Sequence, residues 1–560
     1  MKLTDEQVLA AAAQDRLVFI QSVPGSGKTS VAVERYGYLR YQTRDSRGVL
    51  GLAFNRAAVR ELHQRIMLRW SENCIIAPHQ VTTFDQLHLE VFTYLLSTGK
   101  VLWLDDGVPD FDVRDDYRGL SGFCAYFEKD PSVQVASLKN RRVVSSRRKV
   151  TRDSGMMTGI KGKRKHIEVL RQGIISHGDV RSILSAALKC DDLRKAVTDW
   201  FARTYRALVA DEIFDANGLD ISIVNCALDA GLSITLIGDP YQTLYAWRGA
   251  KPELVHDLVK CDADAFVFYK LSESFRFEGE FVDLAQSLRA GNGAVLSAVT
   301  SREVDVAIAR KWADLWSAGD SVLPLAFKTM RNEVDAALSL LLDVVTRARL
   351  GRNAFWRDGA IAKLKLAPDE FDSQQDRVFA SILEKLKLHG FYSGALDDLC
   401  QVIKDLGVRK PRVQKNTRGK AEECLRLLAK RLGQDGLIPG LTVFQAKGQE
   451  WDRVGIFLTD DQIRALESGL APFIGSQFNE EHCIIYVAVT RAKRFCGVLR
   501  NCGSSELGEG GGVEACGDEE HSESVVGGVA VASGGSSAQF YDFVDGFGGS
   551  VADSVGVELG

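Results

Sequence analysis

The first hundred residues alternate between two hydrophobic patterns. Leu17-Val18-Phe19-Ile20 is a short continuous apolar run, and its length predicts a buried strand. A turn rich in Pro and Gly follows, and Gly27-Lys28-Thr29 opens a predicted helix from Ser30 to about Arg40. Gly48 to Phe54 reads as a second strand ending at Asn55, with a helix from Ala57 to about Trp70. Gln80-Val81-Thr82-Thr83 then precedes a helix from Phe84 to Leu96. Repeated strand–helix pairs of this length predict a parallel sheet covered by helices.

The same grammar resumes after a break. Ala207-Leu208-Val209-Ala210 runs into Asp211-Glu212, and Ser233 to Gly238 runs into Asp239, so each apolar strand ends in acid. A second strand–helix series is predicted to start near Phe266 and to include Val322 to Phe327 with the helix after it. Residues 350–437 read as mainly helical and charged. Sheet signals return at Leu441 to Phe444, Val454 to Leu458 and Cys483 to Val487.

Composition narrows this picture. A chain of 560 residues exceeds one core and predicts about three or four domains. Its N-terminus lacks a signal pattern, and no apolar run approaches the roughly 18 residues of a membrane span, so no membrane partner is expected. The 11 cysteines are scattered without metal-ligand spacing and read as reduced thiols. Residues 501–560 hold 11 Asp+Glu, 15 Gly and no Lys or Arg, a composition expected to stay disordered. Without them the chain has 70 Lys+Arg against 63 Asp+Glu, or +7, a sign that suits a polyanion. Between Lys139 and Lys165 lie 11 Lys+Arg and one acid, Asp153. Such a run is either a solvated surface or an arm for a nucleic-acid backbone.

The chemistry starts at the first strand. Strand, Gly-rich turn, then helix is the context a phosphate-binding loop requires. Gly25 and Gly27 let the backbone N–H groups curl round phosphates, and the helix N-terminus adds positive charge. Lys28 is expected at the β- and γ-phosphates and the Thr29 hydroxyl on Mg²⁺. The nucleotide-binding set comprises Ser22, Val23, Pro24, Gly25, Ser26, Gly27, Lys28, Thr29 and Ser30, with Ser22 standing where the generic pattern has Gly. In open α/β sheets ligands sit at the carboxyl ends of strands. Asp211 there is read as a Mg²⁺ partner and Glu212 as the base that orients an attacking water.

From residue 4 to about 494 the chain resembles superfamily 1 DNA helicases of the UvrD/Rep type, with wording nearest the F-box DNA helicase branch. Thr4-Asp5-Glu6-Gln7 resembles the adenine-reading Q motif, and the loop ending Gly27-Lys28-Thr29 resembles motif I. Leu52 to Ala58 is similar to motif Ia, Thr82-Thr83-Phe84 to the next DNA-contacting motif, and Asp211-Glu212 to motif II. Gly238 to Ala250, GDPYQTLYAWRGA, resembles motif III. Ser274-Phe275-Arg276-Phe277 is similar to motif IV, Thr442 to Trp451 to motif V, and Tyr486 to Ala492 to motif VI.

The resemblance implies roles. Gln7 would read adenine, Phe275 would stack on it and Glu450 would bind the ribose. Gln242 would sense the γ-phosphate, while Arg276 and Arg491 would reach it from the second sheet domain and couple cleft closure to hydrolysis. Phe54, Asn55, Thr83, Phe84, Tyr245, Trp247 and Arg248 would bind single-stranded DNA, the aromatics by stacking worth roughly 1–3 kcal/mol per base. The implied fold is α/β, with two RecA-like parallel-sheet domains carrying mainly helical insertions and a disordered acidic Gly-rich C-terminal tail. The implied domains are 1–100 with 191–265, an inserted basic domain 101–190, 266–349 with 438–500, a reduced helical insertion 350–437, and the tail 501–560.

Three positions depart from the family pattern. Phe214 stands where motif II usually has Gln, Phe444 where motif V has His, and His482-Cys483 where an Arg pair precedes motif VI. None removes a phosphate or Mg²⁺ ligand, so they bear on coupling rather than on ATP chemistry. The expected activity is ATP- and Mg²⁺-dependent translocation on single-stranded or tailed duplex DNA, 3′-to-5′ by resemblance, with duplex unwinding. The alternative is a DNA-stimulated ATPase acting as a regulatory, sensor or protein-stripping subunit beside a nuclease, repair or defence protein. A small-molecule phosphotransferase is disfavoured by motif III and the two arginines. The resemblance places the protein in the cytoplasm at the nucleoid, or in the nucleus of a eukaryote.

Overall fold

A computed structural model describes residues 2–101, 110–114, 172–246, 249–261 and 266–500, together with the backbone of a few short strands between 124 and 157. The side chains of the basic run Lys139 to Lys165, the tail 501–560, and Trp247 with Arg248 lie outside the described residues. The described chain forms two compact units. The first takes Met1–Asp239 and Tyr245–Ser274, and the second takes Pro240–Leu244 and the chain from Phe275.

The first unit is built on α1 (Asp5–Ala11), β1 (Leu17–Ser22), α2 (Lys28–Tyr41), β2 (Gly48–Ala53), α3 (Arg56–Trp70), β3 (Gln80–Thr83) and α4 (Phe84–Ser97). Its sheet has six parallel strands in the order Val267–Leu271, β1, Ser233–Gly238, Tyr205–Ala210, β2, β3. Alternation along each strand divides the core in two. Leu17 and Phe19 point to the layer that holds α4, with Leu87, Val91 and Phe92. Val18 and Ile20 point to the opposite layer, with Val31 and Tyr36 of α2 and Leu62 and Ile66 of α3. A sheet covered on both faces explains why its strands read as continuous apolar runs.

One boundary moves. Val267–Leu271, expected to open the second series, pairs in parallel with β1 over Val18 to Ser22 and closes the edge of the first sheet. Val267 and Phe268 are exposed on that edge. A five-residue apolar strand looks alike in either sheet, so only its pairing decides where it belongs.

The second unit has its own six-stranded parallel sheet, in the order Ala298–Val299, Ala492–Leu499, Trp451–Ile456, Val306–Ala309, Ile438–Thr442, Val322–Pro324. Cys483 to Val487, expected as strand, lies instead within a helix, Glu480–Val489. The Asn479 side chain caps it by accepting from the His482 N–H, and Cys483 through Val489 are all buried. An unbroken apolar run carries no period, so a buried helix and a buried strand look the same in it. Residues 333–432 form five helices: Glu333–Leu350, Arg357–Leu364, Pro368–His389, Ala395–Asp405 and Lys415–Leu432. They enclose a separate core around Leu341, Phe371, Phe379 and Leu425. Among the described residues no helix is long and apolar enough to cross a membrane.

Candidate functional site

In a parallel sheet every strand ends on the same edge, and in the first unit that edge gathers the predicted chemistry. The loop between β1 and α2 follows Ser22. Gly25 and Gly27 have φ of 76° and 77°, the left-handed region that favours glycine. A Cβ on Gly27 would meet Gln7 Nε2 at 2.6 Å. Gln7 is buried and fixed at both ends of its amide: Nε2 donates to Ser26 O at 2.9 Å, and Oε1 accepts from Thr4 N at 3.0 Å. Thr4 Oγ1 in turn accepts from Gln7 N, a capping box that starts α1. Ser22 Oγ donates to Gly238 O at 3.4 Å, and Ser274 Oγ donates to Pro24 O at 2.7 Å. The loop is therefore anchored to α1, to the adjacent strand and to the segment after Leu271.

Lys28 opens α2, and its Nζ lies 3.3 Å from Glu212 Oε1. Glu212 follows the strand Tyr205–Ala210 with φ 57°, ψ 38°, an uncommon conformation for a non-glycine residue. Its N–H donates to Asp211 Oδ1 at 2.9 Å, while the Asp211 N–H donates to Leu52 O at 3.0 Å. Lys28 Nζ and Ser26 Oγ are buried polar atoms without a hydrogen-bond partner among the described residues. An ammonium and a hydroxyl left in this state inside a glycine cradle fit a phosphate chain. No described group of three His, Cys, Asp or Glu could hold a metal by itself. A divalent ion here would use Thr29 and Asp211 with oxygens of the nucleotide.

The residues expected on DNA have varied surroundings. Asn55 Oδ1 accepts from Ala58 N at 2.8 Å and caps α3, and Thr83 Oγ1 accepts from Gln86 N at 3.1 Å and caps α4. Phe84 is buried and stacks on Phe54 with centroids 4.7 Å apart, so it supports the turn rather than presenting a face. Tyr245 is half-buried.

In the second unit, Arg276 Nε donates to Glu450 Oε2 at 3.0 Å, and its NH1 donates to Thr490 O at 2.9 Å. Lys493 Nζ lies 3.1 Å from Glu450 Oε1. Burial holds the Arg276 guanidinium below the usual arginine range, with Glu450 working against that shift. Burial would raise the Glu450 carboxyl, but Lys493 and Arg276 outweigh it and hold it below the ordinary value. Arg491 is fully buried. Its Nε donates to Val487 O at 3.1 Å and its NH2 to Gln242 Oε1 at 3.4 Å. Residues 240–244 are further held in this unit by Cys483 Sγ to Pro240 O at 3.4 Å, by the Tyr241–Tyr486 ring contact and by Arg289 over Tyr241. Phe275 is exposed by 47%.

Three contributors escaped the sequence reading. Lys493 shares Glu450, and its position two residues past Arg491 was the available signal. Ser274 anchors the loop from 250 residues away. Arg35 is buried in the first unit, donating from Nε to Thr235 Oγ1 at 3.0 Å and from NH1 to the carbonyls of Ala11, which ends α1, and of Ala13 just past it.

A phosphate cradle, a strand-end acid pair and a parallel sheet define a P-loop nucleotide-binding protein. The family model described as AAA domain matches residues 5–248. The chain is 24% identical to the "Probable DNA helicase II homolog" of Mycoplasma capricolum, over 52% of this chain and 41% of that protein. It is 23% identical to "ATP-dependent DNA helicase Rep" of Buchnera aphidicola subsp. Schizaphis graminum, over 48% and 41%. It is 23% identical to "ATP-dependent DNA helicase UvrD2" of Mycobacterium bovis, over 68% and 59%. Unliganded Pif1 from Bacteroides sp aligns with TM-score 0.27 and 13% identity, over 57% of this chain and 55% of that one. Over these segments the chain is similar to UvrD/Rep-type DNA helicases. The aligned part spans about two fifths of the first two relatives named.

Proposed function

We propose that the protein hydrolyses ATP with Mg²⁺ to move along single-stranded DNA, 3′-to-5′, and to unwind tailed duplexes. The observation that carries this reading is the Lys28–Glu212 pair inside the glycine cradle. Incoming phosphate oxygens would take Glu212's place at the Lys28 ammonium, releasing the Glu212 carboxylate to orient water. Gln7, with its amide fixed against Ser26, is the proposed adenine reader; Phe275 and Glu450 are the proposed contacts to base and ribose. Thr29 and Asp211 would hold Mg²⁺, which would neutralise charge on the phosphates. Arg276 and Arg491 are the proposed donors to the transferring phosphoryl group, with Gln242 reporting its presence. Asn55, Thr83, Tyr245, Trp247 and Arg248 are the proposed strand contacts, with Phe54 and Phe84 supporting them. The names of the relatives support this reading.

The test measures ATP turnover with and without single-stranded DNA, then strand displacement on 3′- and 5′-tailed duplexes. Stimulation by DNA and displacement from the 3′ tail are expected. Absence of stimulation would refute the reading. The second reading, a sensor or protein-stripping ATPase acting with a nuclease, repair or defence partner, draws on Phe214, which is buried edge-on to Phe19 and offers no polar atom for coupling. Stimulated turnover without displacement would select it.

A further inference from the structure

Beneath the nucleotide end of the first unit lies a set of charges that the ATP chemistry does not use. His88 of α4 is fully buried. Its Nε2 lies 3.0 Å from Asp220 Oδ1, and its Nδ1 lies 3.7 Å from Asp85 Oδ1. Asp85 is also gripped by Arg181, with Nε at 2.9 Å from Oδ1 and NH2 at 2.6 Å and 2.8 Å from the two oxygens. Two carboxylates thus meet a guanidinium and an imidazole within ion-pair distance. Burial alone would discharge the imidazole, but Asp220 and Asp85 overcome it and raise its pKa.

Each member stands at a junction. Asp85 follows Thr83 and Phe84 in the turn that starts α4. Asp220 belongs to the helix Gly218–Asp229, where its Oδ2 accepts from Asn217 N at 2.8 Å in a capping box. Asn217 is reached from Glu212 through the tight turn Ile213–Asp215, and it forms a backbone bridge with Ala250. Arg181 lies on the helix His177–Ala187, just past the basic run. Phe84 and His88 are neighbours on one face of α4, with rings 6.5 Å apart. A shift of the Thr83–Asp85 turn therefore pulls the half-exposed Asp85 away from the buried His88–Asp220 pair, or carries that pair and the turn behind Glu212 with it.

We propose that His88 is a positioning residue linking the Thr83–Asp85 turn to the segment behind Glu212, so that a strand bound at the turn alters the turnover rate. This rests on the reading of Thr83 and its neighbours as strand contacts. The chemistry it implies is simple: His88 touches neither nucleotide nor strand, and it acts by fixing where Asp85 and Asp220 sit.

The test compares the full chain with His88→Gln and with the double variant His88→Gln/Asp220→Asn, which leaves no lone carboxylate in the core. Basal turnover, turnover with saturating single-stranded DNA, DNA affinity by fluorescence anisotropy, and thermal melting are measured together. Basal turnover and ATP KM are expected to stay within about twofold, while the stimulation factor falls tenfold or more. A merely structural role would lower basal and stimulated rates together and overturn the proposal. Unchanged stimulation in a folded His88→Gln would also overturn it, and the double variant is scored in the same way if the single one unfolds. An unstimulated native protein would defeat the DNA-translocation reading itself. A stimulated native protein with equally stimulated variants would defeat only the role of His88.

Discussion

Lys28 Nζ and Glu212 Oε1 are 3.3 Å apart, a cation at the start of one helix paired with a carboxylate held in a left-handed turn. The Lys28 ammonium would be costly to bury alone, and the partly exposed Glu212 carboxylate offsets its charge until a phosphate competes. Glu212→Gln keeps the size of the side chain and removes its basicity. Turnover is expected to fall by roughly 10² or more, as for loss of a general base, with ATP affinity retained. Steady-state ATPase beside equilibrium binding of a fluorescent nucleotide checks this.

Gly238 closes its strand directly beneath the turn that follows Glu212. A Cβ there would meet Phe214 Cδ2 at 2.9 Å and Ile213 Cγ2 at 3.2 Å. Gly238→Ala is expected to destabilise the first unit by about 1–3 kcal/mol, as overpacking does, and to lower turnover by displacing Glu212. Adding Phe214→Leu should recover part of both losses. Urea midpoints and kcat for the single and double variants measure the effect.

Arg491 spends its guanidinium on Val487 O and Gln242 Oε1, an arrangement that needs a planar fork. Arg491→Lys keeps the charge and loses that geometry. If Arg491 stabilises the transferring phosphoryl group, kcat should fall on the order of 10³ with little change in ATP KM. An unchanged kcat would remove it from that role.

His79 Nδ1 accepts a hydrogen bond from Val49 N at 2.9 Å, which only the neutral imidazole can do. Burial, with Arg40 and Arg206 adding repulsion, pushes its pKa down to about 4. The unfolded chain protonates near about 6.5, so between these values the unfolded state binds more protons. The contribution of His79 is therefore complete above about pH 6.5 and lost progressively towards pH 4, by a few kcal/mol at most. Denaturant unfolding across this range should show the decline, and His79→Asn should flatten it.

Much of the fold was legible because its signals are local. The phosphate loop is a strand, a turn needing positive φ at Gly25 and Gly27, and a helix, all in one continuous stretch from Leu17 to Tyr41. The alternation of side chains along β1 between the two core layers and the acids at strand ends follow from the same short-range geometry. Thr4 with Gln7, and Asn217 with Asp220, are capping boxes set by a three-residue spacing.

What lay beyond the sequence depended on partners distant in the chain. Val267–Leu271 is a strand by its own residues, but pairing with β1 placed it in the first sheet. Cys483 to Val487 is apolar in either state, and the Asn479 cap with burial on all sides made it helix. Phe84 and Phe54 stand in segments that resemble DNA-contacting motifs, yet they stack on each other in the fold. His88 shows the division most plainly. Its sequence marks only a polar residue on an apolar helix, whereas its surroundings come from Asp220 and Asp85, brought within ion-pair distance by packing. Local periodicity fixes strands, helices and loops where it has a period to show; the state of unbroken apolar runs, the pairing of edges and the burial of charge are settled only when the whole domain closes around them.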